Sequence, residues 1–427
     1  MTAEVCVMNT IGIALAADSA VSIGGNDSGK IYNFANKLFA LSKSSPVGIM
    51  IYGNADFMDV PWETVIKTYR KEYRNIQFDT LEEYASAFIE FVKTNPYFSN
   101  EDTELRSILS ISELFIKDII DNDLAELIIE SRENDYEVDY VQKFEDFVDE
   151  RTDELSKIET LIKDPTLFNR FKNDYTKYIN EFLNDNLFFD FNEVILKKTT
   201  RCVYLLIIKD TFQYQNHSGI VIAGFGEKDF FPKLTEHSIG GTFYGNLKIS
   251  EEEKIIISNK FNHARAAIIP FAQKEMVYTF LNGIDENILK FMPYTTMYTL
   301  NNYFDDVILP NLDKTLSEDQ VDAIKIDYIG KSLQEISLSI NDFIYNTSTE
   351  PVLKILPTFP KEELASIAET LVNLTSFKRK VSQETETVGG PIDVAIITKG
   401  DGFVWVKRKL YFDKNLNHDY FNNRNKY

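Results

Sequence analysis

The chain has 427 residues, with 66 Asp and Glu against 45 Lys and Arg, a formal charge of −21. Binding phosphates requires clustered cations, so nucleic acid and anionic membrane surfaces are excluded as primary partners. The apolar content of 44%, with 32 Phe and 22 Tyr, speaks for a folded protein with a sizeable core and against disorder.

Residues 1–60 read as strands. "EVCVM", "IGIALAADS", "NKLFALS" and "VGIMIYG" are short apolar runs rich in Val, Ile and Leu, separated by Gly, Asn, Ser and Pro. "PWETVIKTYRKEYRN" follows as a helix, with Pro61 at its first turn and Trp62, Val65, Ile66 and Tyr69 on one face. From about 78 to 195 the texture changes to charged amphipathic helices such as "LEEYASAFIEFVKT" and "VQKFEDFVDERTDELSKIETLIK". Strand texture resumes at "RCVYLLIIKDT" and "SGIVIAGFG". A helix is expected over "HARAAIIPFAQKEMVYTFLNGI", then a less regular helical segment over 286–350. "KEELASIAETLVNLTSFKRK" is a further helix, and "PIDVAIITKGDGFVWVKRKLYF" reads as two strands around the turn "KGDG".

Strands grouped between runs of helices, rather than alternating with them, predict an α+β layered fold. Cys6 and Cys202 sit in apolar runs and read as buried thiols, without support for a disulfide framework. His217, His237, His263 and His418 lack metal-ligand spacing, and "IAGFGEKDFFP" lacks the residues of a nucleotide loop. No leader precedes the first strand, and no run approaches the roughly 18 apolar residues needed to span a bilayer. The expectation is a soluble cytoplasmic protein.

The chemistry concentrates at the start, "MTAEVCVMNTIGIALAADSAVS". If Met1 is removed, Thr2 carries both a hydroxyl nucleophile and an α-amine whose ordinary pKa, about 7.7–8.0, suits a general base at neutral pH. This segment resembles the start of proteasome β-subunits and their bacterial relatives, threonine peptidases of the N-terminal-nucleophile hydrolase superfamily. In that family an Asp follows the terminal Thr at the 16-residue spacing that separates Thr2 from Asp18, within a strand like "ALAADSAVS". A Lys then precedes the next apolar strand.

The resemblance implies catalytic roles for Thr2, Asp18, Lys37 in "ANKLFAL" (Lys30 being the lesser candidate) and Gly53, whose N–H would be the oxyanion donor. It implies a substrate contact at Ser22. At the other end "VGGPIDVAIITKGDGFVWV" resembles the family's late glycine hairpin, but the family's Ser falls on Val388 and its Asp on Thr385 or Glu386. Glu386 is the candidate support for the terminal amine. The resemblance covers about half the chain, over 1–75, 200–230 and 355–410.

It further implies a four-layer α/β/β/α sandwich with helical insertions. Core segments would be 1–77, 196–285 and 351–427, with insertions at 78–195 and 286–350. The implied activity is hydrolysis of an amide, as in a peptide, through an acyl-enzyme on Thr2 without metal or organic cofactor. A homo-oligomer is the implied assembly. Two other readings are carried beside it: a silent scaffold of the same fold that binds a partner, and a small-molecule amidase.

Overall fold

The computed structural model describes residues 2–23, 30–98, 100–134, 136–261, 263–312, 316–382 and 388–417. Its strands, in chain order, are β1 (Ala3–Asn9), β2 (Gly12–Ala17), β3 (Val21–Ile23), β4 (Lys30–Tyr32), β5 (Leu38–Ala40), β6 (Val47–Gly53), β7 (Asp56–Phe57) and β8 (Val60–Pro61). They continue as β9 (Ser218–Gly224), β10 (Lys233–Phe243), β11 (Asn246–Ile256), β12 (Ala266–Ala272), β13 (Asp393–Thr398) and β14 (Gly402–Lys407). The α-helices are α1 (Trp62–Glu72), α2 (Leu81–Thr94), α3 (Glu101–Asp118), α4 (Ala125–Asn134), α5 (Tyr140–Lys157), α6 (Leu167–Asn186) and α7 (Glu193–Ile208). After them come α8 (Glu275–Asn282), α9 (Glu286–Tyr303), α10 (Glu318–Ile344), α11 (Glu350–Ile355) and α12 (Lys361–Val381). The protein mixes helices with antiparallel sheets and divides into two compact units.

The first unit comprises Met1–Ala35, Ile257–Thr398 and Val404–Tyr427. Its sheet has the strand order β12-β1-β2-β13-β14. Every residue of β1, β2 and β13 is buried, which is why these runs are mainly apolar rather than alternating, with Glu4, Asn9, Asp393 and Thr398 as buried exceptions. Ala3, Val5, Val7, Ala14 and Ala16 pack with Val277 of α8 and with Leu364, Ala368, Leu371 and Val372 of α12. Small residues on the strands bring the helix close to the sheet.

The second unit comprises Asn36–Ile256 and Lys399–Phe403. Its sheet has the order β11-β10-β9-β6-β5. Trp62, Val65, Ile66 and Tyr69 of α1 and Leu81, Tyr84 and Phe88 of α2 cover Ile49, Ile51, Ile220 and Ile222. A capping box between Thr80 and Glu83 fixes the start of α2, worth about 1 kcal/mol. A second core, built from Phe115, Phe144, Phe171, Leu183 and Cys202, joins α3, α5, α6 and α7.

Two expectations are corrected here. "RCVYLLIIKDT" is not a strand but the end of helix α7, whose start is capped by the Asn192 side chain accepting from Val194 and Ile195 N–H. Cys202 through Ile208 are all buried, and a helix enclosed on every side loses the polar face that would reveal its period. Conversely, "AAIIPFA" within the expected helix 263–284 forms strand β12, and only Glu275–Asn282 is helical. Pro270 sits in β12 opposite Val5, at the edge of the sheet, the place in a sheet where a missing N–H costs little.

Both cysteines are free and buried. Burial pushes the Cys202 thiol up to about 12. Among the described residues no helix is long and apolar enough to cross a membrane, and no group of three His, Cys, Asp or Glu is placed to hold a metal ion.

Candidate active site

Thr2 is buried and leads directly into β1. Its carbonyl accepts the N–H of Gln273 at 3.1 Å, and the Gln273 side-chain oxygen accepts from Arg379 of α12. Asp18, at the end of β2, is wholly buried. Its Oδ1 accepts the N–H of Ala3 at 3.1 Å, and Ala3 O accepts the N–H of Asp18 at 3.1 Å. The pairing of Glu4 with Ala17 thus ends in a reciprocal side-chain and main-chain clasp beside Thr2.

The other carboxylate oxygen of Asp18 accepts the N–H groups of Ala20 at 3.2 Å and Gly389 at 3.0 Å. Ser19 completes the tie to that late segment, donating its N–H to Gly389 O and its hydroxyl to Pro391 O. Three backbone N–H groups thus converge on this one buried side chain, each donating to a carboxyl oxygen. The first unit therefore joins Thr2, Asp18 and the glycine pair Gly389–Gly390, which lie far apart in the chain. Gly390 has φ +76°, and a Cβ there would lie 2.8 Å from Asn33 O.

Lys37 and Gly53 are brought together in the second unit. Lys37, almost fully buried, immediately precedes β5, and its carbonyl accepts the N–H of Ile51 at 2.9 Å. Gly53 closes the neighbouring β6, at the same end of the pair. Its φ is +80°, and a Cβ there would lie 2.6 Å from His217 O. Only glycine meets both conditions without distortion. Beyond it, Asn54 N–H donates to His217 O and a 320 Å³ cavity opens, lined by Asn54, Asp56, Asp59, Arg106, Ser107 and Gln215. Arg106 donates to Asp59 within that lining. These cavity residues carry no signal in the sequence, because helix α3 reaches the turns around Asn54 and Gln215 only through the fold.

The remaining candidates stand differently. Ser22 is described by its backbone alone, in β3 opposite Ile31. Glu386 and Thr385 lie outside the described residues. Val388 is fully buried in the apolar cluster with Ala3, Val394 and Leu371, a core position with no hydroxyl to offer. Lys30 is exposed, in β4.

No family model matches the sequence, and no curated protein matches it. Among solved structures, the chain is similar to Anbu (ancestral beta-subunit) from Yersinia bercovieri, at 9% identity over 99% of this chain and 95% of that one, with a TM-score of 0.27. It is also similar to an Anbu (Gly-1) mutant from Hyphomicrobium sp. strain MC1, at 11% identity over 100% and 96%, with a TM-score of 0.22. Membership of the proteasome β-subunit family does not stand. Likenesses this slight carry no fold argument, and nothing matches at the level of sequence. The local motif that suggested membership also has a packing explanation: Ala14, Ala16 and Ala17 are core residues, and Asp18 ties three backbone segments.

Proposed function

We propose that the protein hydrolyses an amide bond, with a peptide as the preferred substrate, through Thr2 after removal of Met1. Thr2 Oγ attacks the carbonyl carbon while the α-amine takes the hydroxyl proton. The C–N bond then breaks, and that proton leaves with the departing amine. Water, deprotonated by the same amine, hydrolyses the ester on Oγ, releasing the acid and restoring the hydroxyl. No step calls for a metal or an organic cofactor.

What supports this reading above all is the bond from Ala3 N–H to Asp18 Oδ1, which fixes the peptide plane between Thr2 and Ala3 through a buried carboxyl group. That is the preorganisation a terminal nucleophile requires. Lys37 is assigned to lowering the pKa of the Thr2 hydroxyl, and Gly53 N–H to holding the oxyanion. Ser22 is assigned to substrate contact and Glu386 to supporting the amine. A four-layer α/β/β/α arrangement, with 78–195 and 286–350 as insertions, belongs to the same proposal.

The test is turnover of fluorogenic peptide amides and of simple acyl amides by the wild type and by Thr2→Ala, Lys37→Ala and Gly53→Ala. Peptide cleavage lost in Thr2→Ala and Lys37→Ala supports the proposal. Turnover of simple amides alone points to a small-molecule amidase. No Thr2-dependent turnover leaves the scaffold reading.

A further inference from the structure

Helix α9, 18 residues long, has no buried residue and carries Pro293 in its interior. An isolated helix of this length is marginal in water, and an interior proline removes one of its hydrogen bonds. Tertiary packing normally supplies the deficit, yet its outward face is apolar. Ile288, Phe291, Tyr294, Met297 and Tyr298, spaced three or four apart, are each 40–61% exposed, and the rings of Phe291 and Tyr294 lie 5.9 Å apart. Taking about 200 Å² for an aromatic side chain, these five expose roughly 500 Å². Tyr303, Val307 and Leu309 continue the exposed surface at the same end of the hairpin with α10. Together they approach the roughly 800 Å² per partner of a stable interface.

We propose that this stripe is a two-fold interface between two copies of this chain, with α9 packed antiparallel on the second copy's α9 about Tyr294. Charge selects a second copy. The chain carries −21, so two copies repel wherever carboxylates meet. Between Asn287 and Phe304 the only charged side chain is Lys290, and it is already paired with Glu286 at 2.6 Å. Over 287–304 the stripe is thus a place where two highly acidic molecules approach without opposing their acids; Asp305 and Asp306 lie just beyond it. The pairing is also self-complementary, as a two-fold axis demands. Centring it on Tyr294 sets Phe291 beside the second copy's Met297 and the stem of Lys290 beside the second copy's Tyr298. A basic partner would find little to hold on this face, and a membrane surface would find a single lysine, already paired with Glu286, to bring it to anionic lipid.

The experiment is light scattering of the full chain across a concentration series, together with oxidative cross-linking of a Tyr294→Cys variant. The native Cys6 and Cys202 are buried, so a cysteine on the axis would react with its own copy. The proposal expects a dimer that Phe291→Asp converts to monomer, and a disulfide-linked dimer from Tyr294→Cys but not from Tyr97→Cys, a more exposed control in the second unit. Three results would overturn it: a monomer throughout, a dimer insensitive to Phe291→Asp, or a monomer that binds vesicles through the stripe. Circular dichroism of each variant separates loss of contact from loss of fold.

Discussion

Asp18 and Gly389, 371 residues apart, are joined by a 3.0 Å hydrogen bond from the glycine N–H to the buried carboxylate. The same carboxylate holds Ala3 N–H, the amide next to Thr2. One side chain therefore couples the start of the chain to the segment that leads into β13. Replacing it by Asn keeps the shape but sets an NH₂ group against a backbone donor. We expect Asp18→Asn to lower stability by on the order of 2 kcal/mol, since bonds to a charged group are the stronger kind and a buried donor is left unmet. Denaturant unfolding checks this, and Thr2-dependent turnover should fall with it.

Gly53→Ala tests the strained end of β6. A φ of +80° and a Cβ 2.6 Å from His217 O oppose any side chain there. The expected cost is about 1–3 kcal/mol, read as a lower Tm. If Gly53 N–H has the oxyanion role proposed above, turnover should fall by more than the stability loss explains.

Much of this was legible in the sequence. The N-terminal strands, α1, α2, α12 and the closing hairpin follow from short apolar runs, helical periodicity and turn chemistry close at hand in the chain. Asp18 was legible as a strand-end carboxylate at a telling distance from Thr2. Its partner Gly389 was legible only as a glycine pair, since no local rule states which N–H a distant acid will hold. Helix α7 was hidden because burial on all sides erased its polar face. Strand β12 was hidden because Pro270 argues against a central strand and the alanines around it favour a helix while the edge position is unknown. The cavity beside Asn54 depends on α3 meeting two remote turns, and the resemblance to the proteasome β-subunit family rested on motifs that strand packing also produces.

Lys248, fully buried on β11, donates to Leu206 O at 2.6 Å and Thr211 O at 2.5 Å, closing the end of α7. Burial lowers its ammonium from 10.5 to about 7, with Asp210 working in the opposite direction. Between those values the unfolded chain binds the proton that the folded chain has released. Stability should therefore rise with pH from about 7 towards 10.5, by up to about 1.4 kcal/mol per unit. In Lys248→Met this slope should vanish, and the two orphaned carbonyls should lower stability near pH 7. Chemical denaturation at several pH values, wild type against variant, measures both.

Glu82 sits on α2 beside Lys233 and Lys254, 2.9 and 3.1 Å from their ammonium groups. Burial works to raise its carboxyl, but the hydrogen bonds from Lys233, its own backbone and Lys254 prevail and hold it at about 2. The folded value lies below the ordinary 4.5, so the contribution is complete above 4.5 and fades as pH falls towards 2. Lys233→Met should reduce stability at pH 6 by about 1–3 kcal/mol and flatten the acid limb of the profile. Thermal unfolding from pH 6 to pH 2.5 reads the difference.

Whether Thr2 works as a nucleophile is read from intact mass. The purified protein would be weighed before and after treatment with a threonine-directed epoxyketone or β-lactone. A working Thr2 gives the mass of the chain without Met1 and a single adduct that Thr2→Ala abolishes. A chain that keeps Met1 and takes up no adduct would contradict that role.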